Sequence, residues 1–268
     1  YLVAAFTGLG NMVNKTPMLK AIHELDLSAE VHLVGDNRWG ALEFMSDATF
    51  LDDIFDLSEK SRSETKNWLN DHCYDSVFLA VDCGVPSWLN KMLSESNCKK
   101  IYKHIMAGEL NKLCLRGWYK MITKNSKKIY FVPKLQGKHE IDVNYDLLEA
   151  CFNKPFERSY NTWAPKYERN VQATLDRFNI SSQEYFCFQV CAANGNPTAK
   201  IWDYNNFIEL FEKLKNDCPQ IPIIIIGDKG DHDMYINGIS WPKYVVNTAS
   251  KTDLGEMICL IRNARCVV

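Results

Sequence analysis

Three polar segments carry the residue types that hold charged ligands, and each follows a short apolar run. Thr7-Gly8-Leu9-Gly10-Asn11 follows the run Tyr1 to Phe6. Residues 192–200, ending in Thr198-Ala199-Lys200, follow Phe186 to Val190, and Gly227-Asp228-Lys229-Gly230-Asp231 follows Ile221 to Ile226. An ammonium group at the mouth of a helix, beside the oriented amides of its first turn, suits a phosphate-type anion. Lys200 has that placement, and Thr198 adds a hydroxyl donor; taken alone, Lys200 reads first as a surface lysine. No Asp-x-Asp pair suggests a bound divalent metal.

Strands and helices must bring these segments together. Phe186 to Val190 and Ile221 to Ile226 have the length and apolar character of buried parallel strands. Between them Asp203 is placed to cap a helix, whose Phe207, Leu210, Phe211 and Leu214 make one apolar face. This is a βαβ unit, and such sheets bind ligands at the carboxyl ends of their strands. The first half repeats the alternation. Strands are expected at Tyr1 to Phe6, Glu30 to Val34, Leu51 to Leu57 and Asp75 to Val81. Helices are expected at Met12 to Leu25, with a kink or late start at Pro17, at Trp39 to Met45 and at Glu64 to Asn70. Residues 153–180 read as an irregular connection between two domains. Gly8-Leu9-Gly10 followed by Asp36 invites a dinucleotide-fold reading, and with it an oxidoreductase. The third glycine of that fingerprint is replaced by Val13.

The order Asn196-Pro197-Thr198-Ala199-Lys200-Ile201-Trp202, helix, apolar strand, Gly-Asp-Lys-Gly-Asp resembles the donor-nucleotide half of glycosyltransferase family 9. That family contains the ADP-heptose:lipopolysaccharide heptosyltransferases. Val245 to Met257 resembles the family's next strand, Lys-Thr turn and helix start, and Gly137 to Glu149 its His-Glu pair and following helix. Gly8 to Pro17, including Gly10 and Lys15, resembles its first loop, Gly-x-Gly-Asp leading to Thr-Pro.

The resemblance implies an α/β, GT-B-type fold of two Rossmann-like parallel-sheet domains. Residues 1–165 form the acceptor side, and 166–268 the nucleotide-sugar side, truncated at its C-terminal end. It implies an inverting, metal-independent transfer of a heptose-like sugar from a nucleotide diphosphate, possessing no cofactor beyond that substrate. Thr198 and Lys200 then contact the diphosphate, and Asp231 the ribose, with Asp233 as fallback. Position 11 faces the acceptor hydroxyl, where the family's aspartate is proposed as general base. Asn11 has no accessible basic pKa and can position a hydroxyl but not deprotonate it. Asp82, at a strand's carboxyl end, is the replacement candidate; its ordinary reading is a helix cap. A non-catalytic glycan- or nucleotide-binding relative is the alternative that Asn11 keeps open. His139 is either catalytic or an ordinary helix cap.

Composition sets bounds on all of this. The 268 residues are 46% hydrophobic and 24% charged, with a net charge of −2, which does not suit a nucleic-acid binder. Ten cysteines contain no Cys-x-x-Cys pair and read as buried thiols of a reducing compartment. Residues 99–138 hold eleven lysines and arginines against one acid, Glu109, with aromatics between them. Such a stretch suits an anionic partner, and the resemblance points to a phosphorylated saccharide or glycolipid acceptor. The expected location is cytoplasmic, with peripheral contact at the inner face of the membrane.

Overall fold

The computed structural model describes residues 1–25, 27–37, 40–80, 84–106, 128–166, 171–182, 184–191 and 201–268. These form two compact units, Tyr1–Pro165 and Lys166–Val268.

The first unit is a six-stranded parallel sheet in the order β3-β2-β1-β4-β5-β6. Its strands are β1 (Leu2–Ala5), β2 (His32–Gly35), β3 (Asp53–Asp56), β4 (Ser76–Leu79), β5 (Lys100–Met106) and β6 (Ile129–Lys134). The inner strands β1, β2 and β4 are buried along their whole length, as a sheet covered on both faces requires. Gly35 permits the closest approach. A Cβ there would lie 2.5 Å from the Ala5 carbonyl oxygen, so only glycine lets β2 leave the sheet beside β1.

The helices are α1 (Leu9–Leu25), α2 (Ala41–Met45), α3 (Arg62–Asp71), α4 (Ser87–Glu95) and α5 (Glu140–Phe152). Helix α1 begins three residues before the expected Met12 and runs through Pro17. Proline supplies no amide for the Val13 carbonyl. The Thr16 hydroxyl donates to that carbonyl instead (2.8 Å) and accepts from the Trp163 amide (2.8 Å). Helix α3 starts on a reciprocal capping box between Ser61 and Glu64.

Asp142, Asp146 and Glu149 lie on one face of α5 and all reach Arg158, at 3.3, 3.0 and 3.2 Å. This fastens the segment after α5 to the unit. Trp163 completes the attachment, edge-on to Phe44 and Phe50.

The second unit is a four-stranded parallel sheet, β10-β7-β8-β9, from β7 (Phe186–Gln189), β8 (Ile223–Ile226), β9 (Val245–Asn247) and β10 (Cys266–Val267). Its helices are α6 (Val171–Arg177), α7 (Tyr204–Asp217) and α8 (Leu254–Arg262). Helix α6 falls inside the stretch expected to be irregular; Thr174 and Leu175 are buried there. Asp203 caps α7 as expected, accepting from the Asn205 amide at 2.8 Å. Phe207 and Phe211 are buried against Phe188, and Leu210 and Leu214 pack beside them.

Candidate active site

In a parallel sheet the chain leaves the carboxyl edge in opposite directions where the strand order reverses, and the crevice so formed takes the ligand. The first sheet reverses between β1 and β4, the second between β7 and β10.

At the first crevice, β1 runs into Phe6 and Thr7, and α1 follows almost at once. The Met12 amide donates to the Gly8 carbonyl at 3.1 Å. The Gly84 amide donates to the Phe6 carbonyl at 3.1 Å, so the chain beyond β4 returns beside the chain beyond β1. A Cβ added at Gly8, Gly10 or Gly84 would meet no atom within 4 Å, which leaves open space along this edge. Asn11 is half-buried in the first turn of α1. Gly10 and Lys15 are helical and not in a loop, because α1 starts at Leu9; Lys15 is fully buried. Asp82 lies outside the described residues. Sequence reasoning passed over Thr7, which is 2% exposed and whose hydroxyl has no hydrogen-bond partner among the described residues. Its only signal is a polar residue between an apolar strand and a glycine turn.

At the second crevice, residues 192–200 lie outside the described residues, Thr198 and Lys200 with them. The neighbouring turn after β8 is closed by two acids. The Asp228 carboxylate accepts from the Asp231 amide (2.7 Å), and the Asp231 carboxylate accepts from the Asp228 amide (3.4 Å). The expected glycine turn is thus a capped helical start, Lys229–Asp231, continuing into a π-turn through Ile236. Asp231 is buried, while Asp233 is exposed and 2.9 Å from His232 Nδ1. Beside this turn, the Ser250 amide donates to the Gly227 carbonyl (3.1 Å), with Ser250 left-handed at φ 63°. Asp253 and Glu256 form another capping box at the start of α8. Cys187 and Cys191 are buried, and burial pushes both thiols up to about 12, with the Asp231 carboxylate adding to the effect at Cys191.

His139 caps α5, its Nδ1 accepting from the Ile141 amide at 3.2 Å. Four lysines of the basic stretch have intramolecular partners. Lys99 pairs with Asp75, Lys134 with Glu140 and Lys138 with Asp146, and Lys128 donates to the Ser96 and Cys98 carbonyls. The stretch's free field is therefore smaller than its composition implies; residues 107–127 lie outside the described residues. Among the described residues no His/Cys/Asp/Glu cluster could hold a metal ion, and no helix is long and apolar enough to cross a membrane.

Two parallel α/β sheets, each reversing its strand order once, define a protein of GT-B type. The chain belongs to glycosyltransferase family 9 (heptosyltransferase), whose profile matches residues 118–268, and it is a glycosyltransferase. Solved structures of low identity share its fold. The glycosyl transferase family 9 protein of Veillonella parvula superposes with a TM-score of 0.71 at 12% identity, covering 99% of this chain and 74% of that one. E. coli ADP-heptose lps heptosyltransferase II gives 0.66 at 15%, covering 99% and 77%. E. coli heptosyltransferase WaaC, solved with ADP-2-deoxy-2-fluoro heptose, gives 0.64 at 12%, covering 99% and 81%. No curated protein matches the chain by sequence.

Proposed function

We propose that this glycosyltransferase moves a heptose-like sugar from an ADP-type nucleotide diphosphate to a phosphorylated saccharide or glycolipid, with inversion and without a metal ion. The observation that carries the reading is the family match over residues 118–268, which takes in the whole second unit. The similarity to an ADP-heptose lps heptosyltransferase and to a heptosyltransferase solved with ADP-2-deoxy-2-fluoro heptose supports the donor class.

In this reading an acceptor oxygen attacks the anomeric carbon as the bond from that carbon to the diphosphate oxygen breaks. Charge develops on the departing diphosphate, so the cationic and amide donors belong there. Thr198 and Lys200, which precede α7 in the sequence, take that role. Asp231 accepts from the ribose hydroxyls, with Asp233 as the exposed alternative. On the acceptor side Gly8 and Gly10 leave space, Asn11 orients the attacking hydroxyl, and Asp82 receives its proton. What remains unpaired of the basic stretch 99–138 meets the acceptor's phosphates, at the inner face of the membrane.

Transfer from ADP-heptose and other nucleotide sugars by wild type, Lys200→Ala, Asp82→Asn and Asn11→Asp tests this. The expected result is transfer by wild type that falls at least tenfold in Lys200→Ala and Asp82→Asn. Binding without turnover, with activity gained in Asn11→Asp, would sink the role given to Asp82. Absence of binding by every nucleotide sugar would overturn the substrate reading.

A further inference from the structure

Thr7 stands where β1 gives way to α1, at the switch crevice of the first sheet, and the roles proposed above leave it idle. Its side chain is almost wholly enclosed, yet its hydroxyl has no hydrogen-bond partner among the described residues. Buried polar side chains are nearly always paired, because an unmade hydrogen bond there forfeits what water supplied in the unfolded chain. The exceptions call for a reason, and location supplies one. The nearby Phe6 carbonyl is satisfied by the Gly84 amide, so the backbone around Thr7 is in order and the hydroxyl alone stands out. Three glycines, Gly8, Gly10 and Gly84, border the same edge with open space where side chains would stand. The first amides of a helix lack intrahelical partners, and those of α1 follow within two residues, so the setting is polar and short of acceptors.

A threonine hydroxyl both donates and accepts, and it is neutral at every working pH. That matches a sugar hydroxyl better than a phosphate or a cation. We propose that the Thr7 hydroxyl binds the acceptor saccharide, accepting a hydrogen bond from the attacking sugar hydroxyl and fixing the direction of its lone pair. Thr7 orients and takes no proton. With Asn11 one helical turn start away, it forms a neutral pair that aims the nucleophile. This inference rests on the reading that the first unit's crevice receives the acceptor.

The test compares wild type, Thr7→Val and Thr7→Ser. Valine keeps the shape and removes the hydroxyl; serine keeps the hydroxyl. ADP-heptose serves as donor, and a heptose-free phosphorylated lipopolysaccharide core saccharide as acceptor. Thr7→Val is expected to lower kcat/KM for the saccharide about tenfold, the loss of roughly one oriented hydrogen bond. Hydrolysis of ADP-heptose by water should be unchanged, and Thr7→Ser should stay near wild type. The melting temperature of Thr7→Val should equal or exceed that of wild type, since the fold loses an unpaired polar group. Equal saccharide kcat/KM in Thr7→Val and wild type overturns the inference. So does a Thr7→Val melting temperature several degrees lower, restored in Thr7→Ser, which would give the hydroxyl to the fold. If wild type neither hydrolyses nor transfers from ADP-heptose, the donor reading fails on its own. Calorimetric titration of the saccharide then decides: no binding, or equal affinity in Thr7→Val, overturns the role of Thr7.

Discussion

A methyl group at position 35 would press on the Ala5 carbonyl, which is backbone and cannot swing aside. Gly35→Ala should therefore cost about 2 kcal/mol in urea unfolding, the usual scale for overpacking a rigid site. Thiol chemistry offers a second check at this scale. The thiolate is the reactive form, and burial holds Cys187 and Cys191 near 12. Labelling of the native protein by a disulfide reagent at pH 8 should begin at the exposed Cys73 and Cys266 and spare those two. Mass mapping that finds Cys191 among the first to react would contradict its placement. The two acids after β8 separate in the same way. Asp228→Ala removes a cap and should cost about 1 kcal/mol, with donor affinity following stability. A selective loss of nucleotide affinity in Asp233→Asn, and not in Asp231→Asn, would move the ribose contact to the exposed acid.

Helix α1 joins the first crevice to the core and depends on one hydroxyl. Thr16 answers both the carbonyl that Pro17 leaves without an amide and the amide of Trp163. Thr16→Val strands two half-buried backbone groups and should destabilise by about 1–3 kcal/mol, while Thr16→Ser should lose far less; thermal melts of the pair decide. Strands β1 to β4, β7 and β8 are readable in the sequence as short runs closed by polar residues, whereas β5 and β6 fall inside the basic stretch 99–138, whose lysines break up the apolar signal, and are missed. Helix α7 was readable because its cap and its apolar face agree. The start of α1 was not, since Gly8 and Gly10 signal a turn while the chain enters a helix directly from β1. Seven-residue α6 is too short for periodicity to show; only its packing beneath α8 makes it a helix. The site was legible as segments at strand ends: among the described residues, 7–11 follow β1 and 227–231 follow β8, while 192–200 lie outside them. Illegible were the burial of Lys15, the turning of Asp231 toward backbone and the isolation of the Thr7 hydroxyl. All three depend on what surrounds a side chain in space, which spacing along the chain does not encode.

At the scale of the molecule, one buried histidine makes the first unit acid-sensitive. His32, on β2, is buried, and burial holds its imidazole below the ordinary 6.5, with repulsion from His72 and the terminal amine adding to this. Asp53 and Glu30 pull the other way and do not prevail. Its Nδ1 lies 2.9 Å from the Tyr74 hydroxyl, and its Nε2 3.8 Å from Glu30. A depressed native value means that the unfolded chain binds a proton the native one refuses. Stability should therefore be level above pH 6.5 and fall as pH drops through the interval between 6.5 and the lower native value. His32→Gln removes that slope. Because each unit has its own sheet and core, the loss should be local. Hydrogen exchange at pH 7.5 and 5.5 should show protection falling across β1, β2 and β4, and holding in β7 and β8. Equal loss in both sheets would mean that the two units open as one, and the acid response would then belong to the whole chain and not to the histidine beside β2.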